Sequence, residues 1–239
     1  MRKGVYRLIM IMLMVVVAIS IFKIGQFYYR YAENEAKYEE IKKVVFEEKK
    51  IVLDEGNEKK PYVNPEQVGW IQISGTNIDY PVMQSKDESD FYLRHDYYGN
   101  YSVHGCPYLK EECNLSESDN LVIYGHHMSD GTMFAALDGY MDKKFWENHK
   151  KISFIVGETN WEYEVICAFK TSANGIFSYH EFIQAKDEEH FDKYMKECKK
   201  RSFYETGLSA SYGDKLLTLS TCEYSLKNGR LVVVAKRIN

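Results

Sequence analysis

The sequence predicts a mainly β domain with inserted helices, carried behind an N-terminal transmembrane helix and a juxtamembrane helix. Three observations predict it. Short β-favouring runs follow one another from Trp70 onward, two stretches between them have helical spacing instead, and a long apolar segment opens the chain.

The β-favouring runs are Trp70–Ile73, Ile78–Val82, Pro107–Lys110, Leu121–Tyr124, Ile152–Val156, Tyr163–Lys170, Leu216–Ser220 and Leu231–Lys236. Eight such runs suggest a closed barrel or a sandwich. Helices are expected at Thr132–Tyr140 and at Glu188–Phe203, where Phe191, Tyr194, Met195 and Cys198 recur at i, i+3, i+4 and i+7.

Leu8 to Phe22 are fifteen consecutive apolar or small residues, and beyond Lys23 the segment runs on through Ile24, Gly25, Phe27, Tyr28 and Tyr29. At a rise of about 1.5 Å per residue, Val5 to Tyr29 suffices for a bilayer core of about 30 Å. A cleaved secretory leader ending at Ala18-Ile19-Ser20 is the rival reading. It accounts less well for apolar character that continues past that point and closes in Tyr and Arg. Arg2, Lys3 and Arg7 on the short leading side place the N-terminus in the cytoplasm and everything after about Arg30 outside the cell. Tyr31 to Leu53 is rich in Glu and Lys with apolar residues in a roughly helical rhythm, and Asp54 to Pro65 reads as a linker. The expected organisation is therefore a cytoplasmic stub and anchor at 1–30, a juxtamembrane helix and linker at 31–65, and one folded domain at 66–239.

The whole chain carries 31 Lys+Arg and 35 Asp+Glu. Five basic residues and no acid lie in residues 1–30, so the remainder holds 26 against 35, a net of −9. That balance excludes a general nucleic-acid binder. Of the five cysteines, Cys106, Cys113, Cys167, Cys198 and Cys222, at least one stays unpaired, and no C-x-x-C spacing marks a zinc or redox motif. Cys106 and Cys113 are near enough in sequence for a local disulfide.

Chemistry concentrates in two stretches. In Leu217-Thr218-Leu219-Ser220-Thr221-Cys222-Glu223 an apolar strand ends in small hydroxyl residues and a cysteine, and after the turn Lys227-Asn228-Gly229 comes Arg230 at the head of the next strand. A guanidinium near a thiol favours the thiolate that attacks, and its rigid fork suits an oxyanion forming on a carbonyl. A buried structural cysteine beside a surface arginine would present the same residues. In Asn120-Leu121-Val122-Ile123-Tyr124-Gly125-His126-His127-Met128 a second strand closes on glycine and two histidines. One of these suits a general acid and base for a thiol nucleophile, and adjacent side chains on a strand point to opposite faces, so only one shares a site with Cys222. No acidic or cysteine companion stands at ligand spacing, so no metal is expected. The other histidines, His104, His149, His180 and His190, read as surface residues.

Together these stretches resemble the sortase family, its class B branch in particular. The resemblance covers roughly Val68 to Lys236. It rests on Gly69-Trp70-Ile71, Ile78-Asp79-Tyr80-Pro81-Val82, Tyr92-Leu93, Tyr124-Gly125-His126-His127-Met128, Asp130-Gly131-Thr132-Met133-Phe134, and Thr218-Leu219-Ser220-Thr221-Cys222 with Arg230. The run Gly105-Cys106-Pro107-Tyr108-Leu109-Lys110 departs from the family pattern. The resemblance implies a closed eight-stranded β-barrel with a long helix inserted late. It implies Cys222 as nucleophile, His126 rather than His127 as acid and base, and Arg230 as the oxyanion donor, with Tyr124, Ser220, Thr221 and Glu223 as candidate substrate-binding residues. It implies no cofactor. The partners it implies are secreted proteins bearing a C-terminal sorting signal, of Asn-Pro-x-Thr type in class B, and a cell-wall (peptidoglycan) precursor amine that accepts the thioacyl group. A pilin-polymerising sortase and a catalytically silent, membrane-tethered binding domain are the alternatives. Against the first stands the lack of an Asp-Pro-Trp-like plug, and against the second the presence of all three polar residues.

Overall fold

The computed structural model describes residues 2–46 and 63–239. The chain divides into two compact units, 1–61 and 62–239.

The first unit is one helix, α1, Arg2–Phe46. The segments expected as anchor and juxtamembrane helix are thus one continuous helix, because the Glu, Lys and Ala residues after Tyr31 are good helix formers and no Pro or Gly interrupts them. Residues 47–53 of the expected juxtamembrane helix and 54–62 of the expected linker lie outside the described residues. From Val5 to Tyr29 every large apolar side chain of α1 is exposed. The apolar part of α1 is long and apolar enough to cross a membrane.

The second unit is a closed barrel of eight strands: β1 Gln67–Gln72, β2 Asp79–Met83, β3 Tyr108–Leu109, β4 Asn120–Tyr124, β5 Lys151–Val156, β6 Thr159–Ser172, β7 Leu216–Glu223 and β8 Gly229–Arg237. The order around it is β1-β2-β3-β4-β7-β8-β6-β5, with β5 returning to β1. The pairs β2–β3 and β4–β7 are parallel and the other neighbours antiparallel. All eight expected strands form. The closure expected from the family resemblance is observed.

Two helices join the barrel: α2, Lys143–Asn148, and α3, Glu188–Arg201. α3 lies in the long connection between β6 and β7, where a late helix was expected, and the Asp187 side chain caps it by accepting from the His190 N–H at 2.8 Å. Its apolar face, Phe191, Tyr194, Met195 and Cys198, packs on Ile166, Cys167 and Phe169 of β6, Leu216 of β7, and Val232 and Val234 of β8. Those strands are therefore buried on both faces, which explains why Leu216–Leu219 and Leu231–Ala235 read as near-continuous apolar runs rather than alternating ones. The stretch expected as a helix at Thr132–Tyr140 is a 3₁₀ segment, Ala135–Met141, preceded by Met133 at a φ of 55°. The left-handed residue delays its start.

Candidate active site

Cys222 is the penultimate residue of β7, and in the antiparallel register it stands directly opposite Arg230 on β8. Four of the five cysteines are buried, while Cys222 is half-buried. None is in a disulfide. Cys106 and Cys113 have separate partners, their sulfurs donating to Pro81 O and to Asn120 O, each at 3.7 Å.

The second strand that reaches the site is β4, parallel to β7, with Tyr124 opposite Ser220. One residue further on, the Gly125 N–H donates to Ser220 O at 3.1 Å, and the Thr221 hydroxyl donates to Gly125 O at 2.8 Å. The residue before Cys222 is therefore bonded to the residue before His126. This double tie fixes the two strand ends against each other. Gly125 itself has no alternative: a Cβ there would come within 2.5 Å of the Phe134 ring. Phe134 in turn donates its N–H to His126 O at 2.8 Å.

Beyond that glycine the two histidines diverge. His126 lines a cleft of about 460 Å³ together with Cys222, Arg230, Tyr124, Ser220 and Thr221. His127 is not among the lining residues. Its Nε2 meets Asp138 Oδ2 at 2.7 Å, and its ring lies edge-on to Tyr224. The alternation argument from sequence thus gives the observed split.

His126 Nε2 lies 2.7 Å from the backbone O of Leu93. A carbonyl only accepts, so Nε2 carries the proton, and in the neutral ring the lone pair is on Nδ1. Burial lowers the His126 pKa below its ordinary 6.5. The Leu93 carbonyl opposes that shift, and the nearby charges of Arg94 and His104 add to it. The ring is mostly neutral at pH 7.

Arg230 is half-buried, paired across the sheet with Cys222 on one side and Thr171 on the other. Among the described residues its one hydrogen bond runs from Nη1 to Gly229 O, at 2.9 Å. The rest of the donor fork remains available to a ligand.

The four residues expected to bind substrate do not form one group. Tyr124 and Ser220 are part of the cleft wall, and the Ser220 hydroxyl shares a 2.7 Å hydrogen bond with the Tyr179 OH. Burial raises the Tyr124 pKa well above the phenol range, so it stays a neutral donor. Thr221 touches the cleft, but its hydroxyl is spent on Gly125. Glu223 is not among the lining residues. Its carboxylate takes the Lys170 ammonium at 2.8 Å and the N–H and hydroxyl of Ser225 at 3.0 and 2.8 Å. Burial alone would raise the Glu223 pKa, yet these donors outweigh it and bring it down to about 2. A carboxylate with a depressed folded-state pKa contributes stability that is complete above its ordinary 4.5 and lost as pH falls toward 2. Glu223→Gln should lower the thermal midpoint near neutral pH by roughly 2–4 °C and flatten the wild-type decline between those two pH values. Melts recorded across the acid range check both.

Sequence reasoning missed the wall opposite β4. Ala173, Asn174, Tyr179 and His180 line the cleft from the connection after β6, and Asp90, Leu93, Tyr108 and Lys110 line it on the side of β3 and the segment before it. His180 had read as a surface residue but faces the cleft, and His104, another of that group, is half-buried with Nε2 3.1 Å from Asp130. The Tyr92-Leu93 motif was the available signal for the Leu93 carbonyl. Among the described residues no group of three or more His, Cys, Asp or Glu side chains could hold a metal ion.

The sortase domain family model matches residues 71–238. Sortase B of Listeria monocytogenes is 37% identical over 180 residues, covering 74% of this chain and 71% of that protein. Sortase B of Staphylococcus aureus is 31% identical over 237 residues, covering 97% and 96%. A solved structure of a Staphylococcus aureus sortase B–substrate complex superposes with a TM-score of 0.75 at 29% identity, covering 88% of this chain and 99% of that one. With the family model matched over most of the barrel unit and relatives 37% and 31% identical along most of their length, the chain belongs to the sortase family, the cysteine transpeptidases, on the class B side.

Proposed function

We propose that this enzyme cleaves a C-terminal sorting signal of Asn-Pro-x-Thr type after its threonine, with Cys222 as nucleophile, and passes the acyl group to a cell-wall precursor amine. The observation that carries the reading is the opening of Cys222, His126 and Arg230 onto one cleft, with Cys222 and Arg230 opposite each other across β7 and β8. The Cys222 thiol passes its proton to His126 Nδ1 as its sulfur attacks the threonine carbonyl, and a tetrahedral oxyanion forms. Arg230 donates to that oxygen. The C–N bond then breaks, the leaving amine takes a proton through His126, and a thioester remains on Cys222. In the second half His126 accepts a proton from the incoming amine, which attacks the thioester and expels the thiolate. With Nε2–H held by Leu93, Nδ1 is the nitrogen that exchanges protons without ring rotation.

Tyr124 and Ser220 form the wall against which the sorting peptide lies, while Thr221 and Glu223 hold the frame. Residues 66–239 are the catalytic domain. α1 anchors it with Arg2, Lys3 and Arg7 in the cytoplasm, so that the cleft works at the outer face, where secreted protein and wall precursor both arrive. Incubation of the full chain with a fluorogenic Asn-Pro-x-Thr peptide and an amine acceptor tests the reading. Formation of the peptide–amine conjugate supports it, and no cleavage of any sorting peptide overturns it.

Arg230 separates two roles. A point charge at similar reach would be supplied nearly as well by lysine, whereas an oriented pair of donors would not. Arg230→Lys and Arg230→Ala should both lose turnover on the order of 10²-fold or more. A lysine variant with near-wild-type turnover would sink the oriented-donor role.

A further inference from the structure

Two of the buried cysteines sit side by side, away from the cleft chemistry. Cys167 follows an irregularity in β6, where the register with β8 shifts between Val165 and Cys167. Cys198 lies near the end of α3. Both belong to the apolar cluster between α3 and the barrel, at 1% and 0% exposure, and Cys167 is near enough to act electrostatically on the Cys198 thiol. The Tyr194 hydroxyl is also within reach of Cys198 and lies 3.4 Å from Thr218 Oγ1.

The pair is not sealed in. A surface cavity of about 320 Å³ reaches Cys167 between Ile166, Tyr204, Thr206 and Leu208. The segment that forms its outer lip is pinned to β6 by the Phe203 N–H on Ala168 O at 2.9 Å and the Thr206 hydroxyl on Ile166 O at 2.8 Å.

We propose that Cys167 and Cys198 are a modification site, a reversible disulfide formed by a low-molecular-weight disulfide that enters through this cavity. The Cys167 thiolate attacks one sulfur of the oxidant, breaking its S–S bond and releasing one thiolate, which takes up a proton as a free thiol. Cys198 then attacks the Cys167 sulfur of the mixed disulfide and expels the second. The protein dithiol loses two protons and two electrons, and the oxidant gains them as two thiols. Cys198 acts second because it is out of reach of the cavity and burial raises its thiol well above the ordinary range.

The bond ties β6 to α3 at both ends of the segment that carries Ala173, Asn174, Tyr179 and His180, the missed wall of the cleft. Oxidation therefore locks that wall to the barrel and restricts the unfolded chain. The inference does not depend on which residue attacks a substrate.

The test uses the full chain in detergent, treated with glutathione disulfide or with a reductant, then alkylated under denaturing conditions, digested and mapped by mass spectrometry. A Cys167–Cys198 linked peptide is expected, with a thermal midpoint raised by roughly 5–15 °C and restored by reductant. The shift should vanish in Cys167→Ser and in Cys198→Ala and persist in Cys222→Ala, which removes the cleft thiol. Mapping on the unsubstituted chain decides the matter even where a core variant fails to fold. Recovery of Cys167 and Cys198 both alkylated, or of either bonded to a different cysteine, overturns the proposal.

Discussion

Cys222→Ala should abolish both cleavage and transfer, with turnover down by roughly four orders of magnitude or more, while the barrel stays folded. Thioester formation needs the sulfur, and no neighbouring group supplies a replacement nucleophile: the Ser220 hydroxyl is engaged by Tyr179 and the Thr221 hydroxyl by Gly125. The stability cost is small because Cys222 is half-buried near a strand terminus, where truncation leaves no closed cavity. Two measurements check this. The variant should melt within about 2 °C of the wild type, and the wild type caught with substrate should carry an acyl adduct on Cys222 by mass spectrometry. An adduct on Cys106, Cys113, Cys167 or Cys198 would overturn the assignment.

What the sequence disclosed, and what it hid, follows from how each feature is encoded. The strands that build the site were legible because β7 and β8 are covered on both faces, and doubly buried strands write themselves as apolar runs. The hairpin that returns Arg230 toward Cys222 was legible from the turn residues Lys227-Asn228-Gly229, whereas the direct pairing of the two rests on the register across 224–228, which the sequence does not state. The sequence understates the length of β6: of its first residues, Thr159 to Glu162, all but Trp161 are polar, and their ladder partner is β5, so their strand character comes from backbone pairing rather than apolar pattern. α2 went unread because six residues with one buried side chain, Trp146, show no periodicity. Its one signal was the Asp142 cap. The Leu93 carbonyl that orients His126 is a backbone group, and side-chain identity says nothing about where such a group points. His180 was misjudged for a related reason. It belongs to the connection after β6, whose path over the cleft is set by tertiary packing of Tyr179 and Phe182 rather than by a local motif.

The last large effect expected is the contrast between His126→Ala and His127→Ala. The two residues are neighbours of the same chemical type, so any difference reports position alone. His126 lines the cleft with Cys222 and is the only one of the two whose ring can exchange a proton with a substrate there. Its removal should cost about 10²–10⁴-fold in turnover, the usual range for a positioned acid and base. His127 faces Asp138 and Tyr224, and its loss should show as a lowered melting point with turnover kept within about tenfold. The pH behaviour gives an independent check. Burial lowers the folded-state pKa of His126 below 6.5, so the native ring binds its proton more weakly than the unfolded chain does. The stability of the wild type should therefore fall as pH drops below 6.5, and His126→Ala should lack that part of the decline, whereas His127→Ala should keep it. The imidazole resonance that disappears in His126→Ala should titrate below 6.5 in the wild type. Equal losses of turnover from the two variants, or a His126 resonance titrating above 6.5, would mean that the first histidine is not the buried, proton-exchanging partner of Cys222.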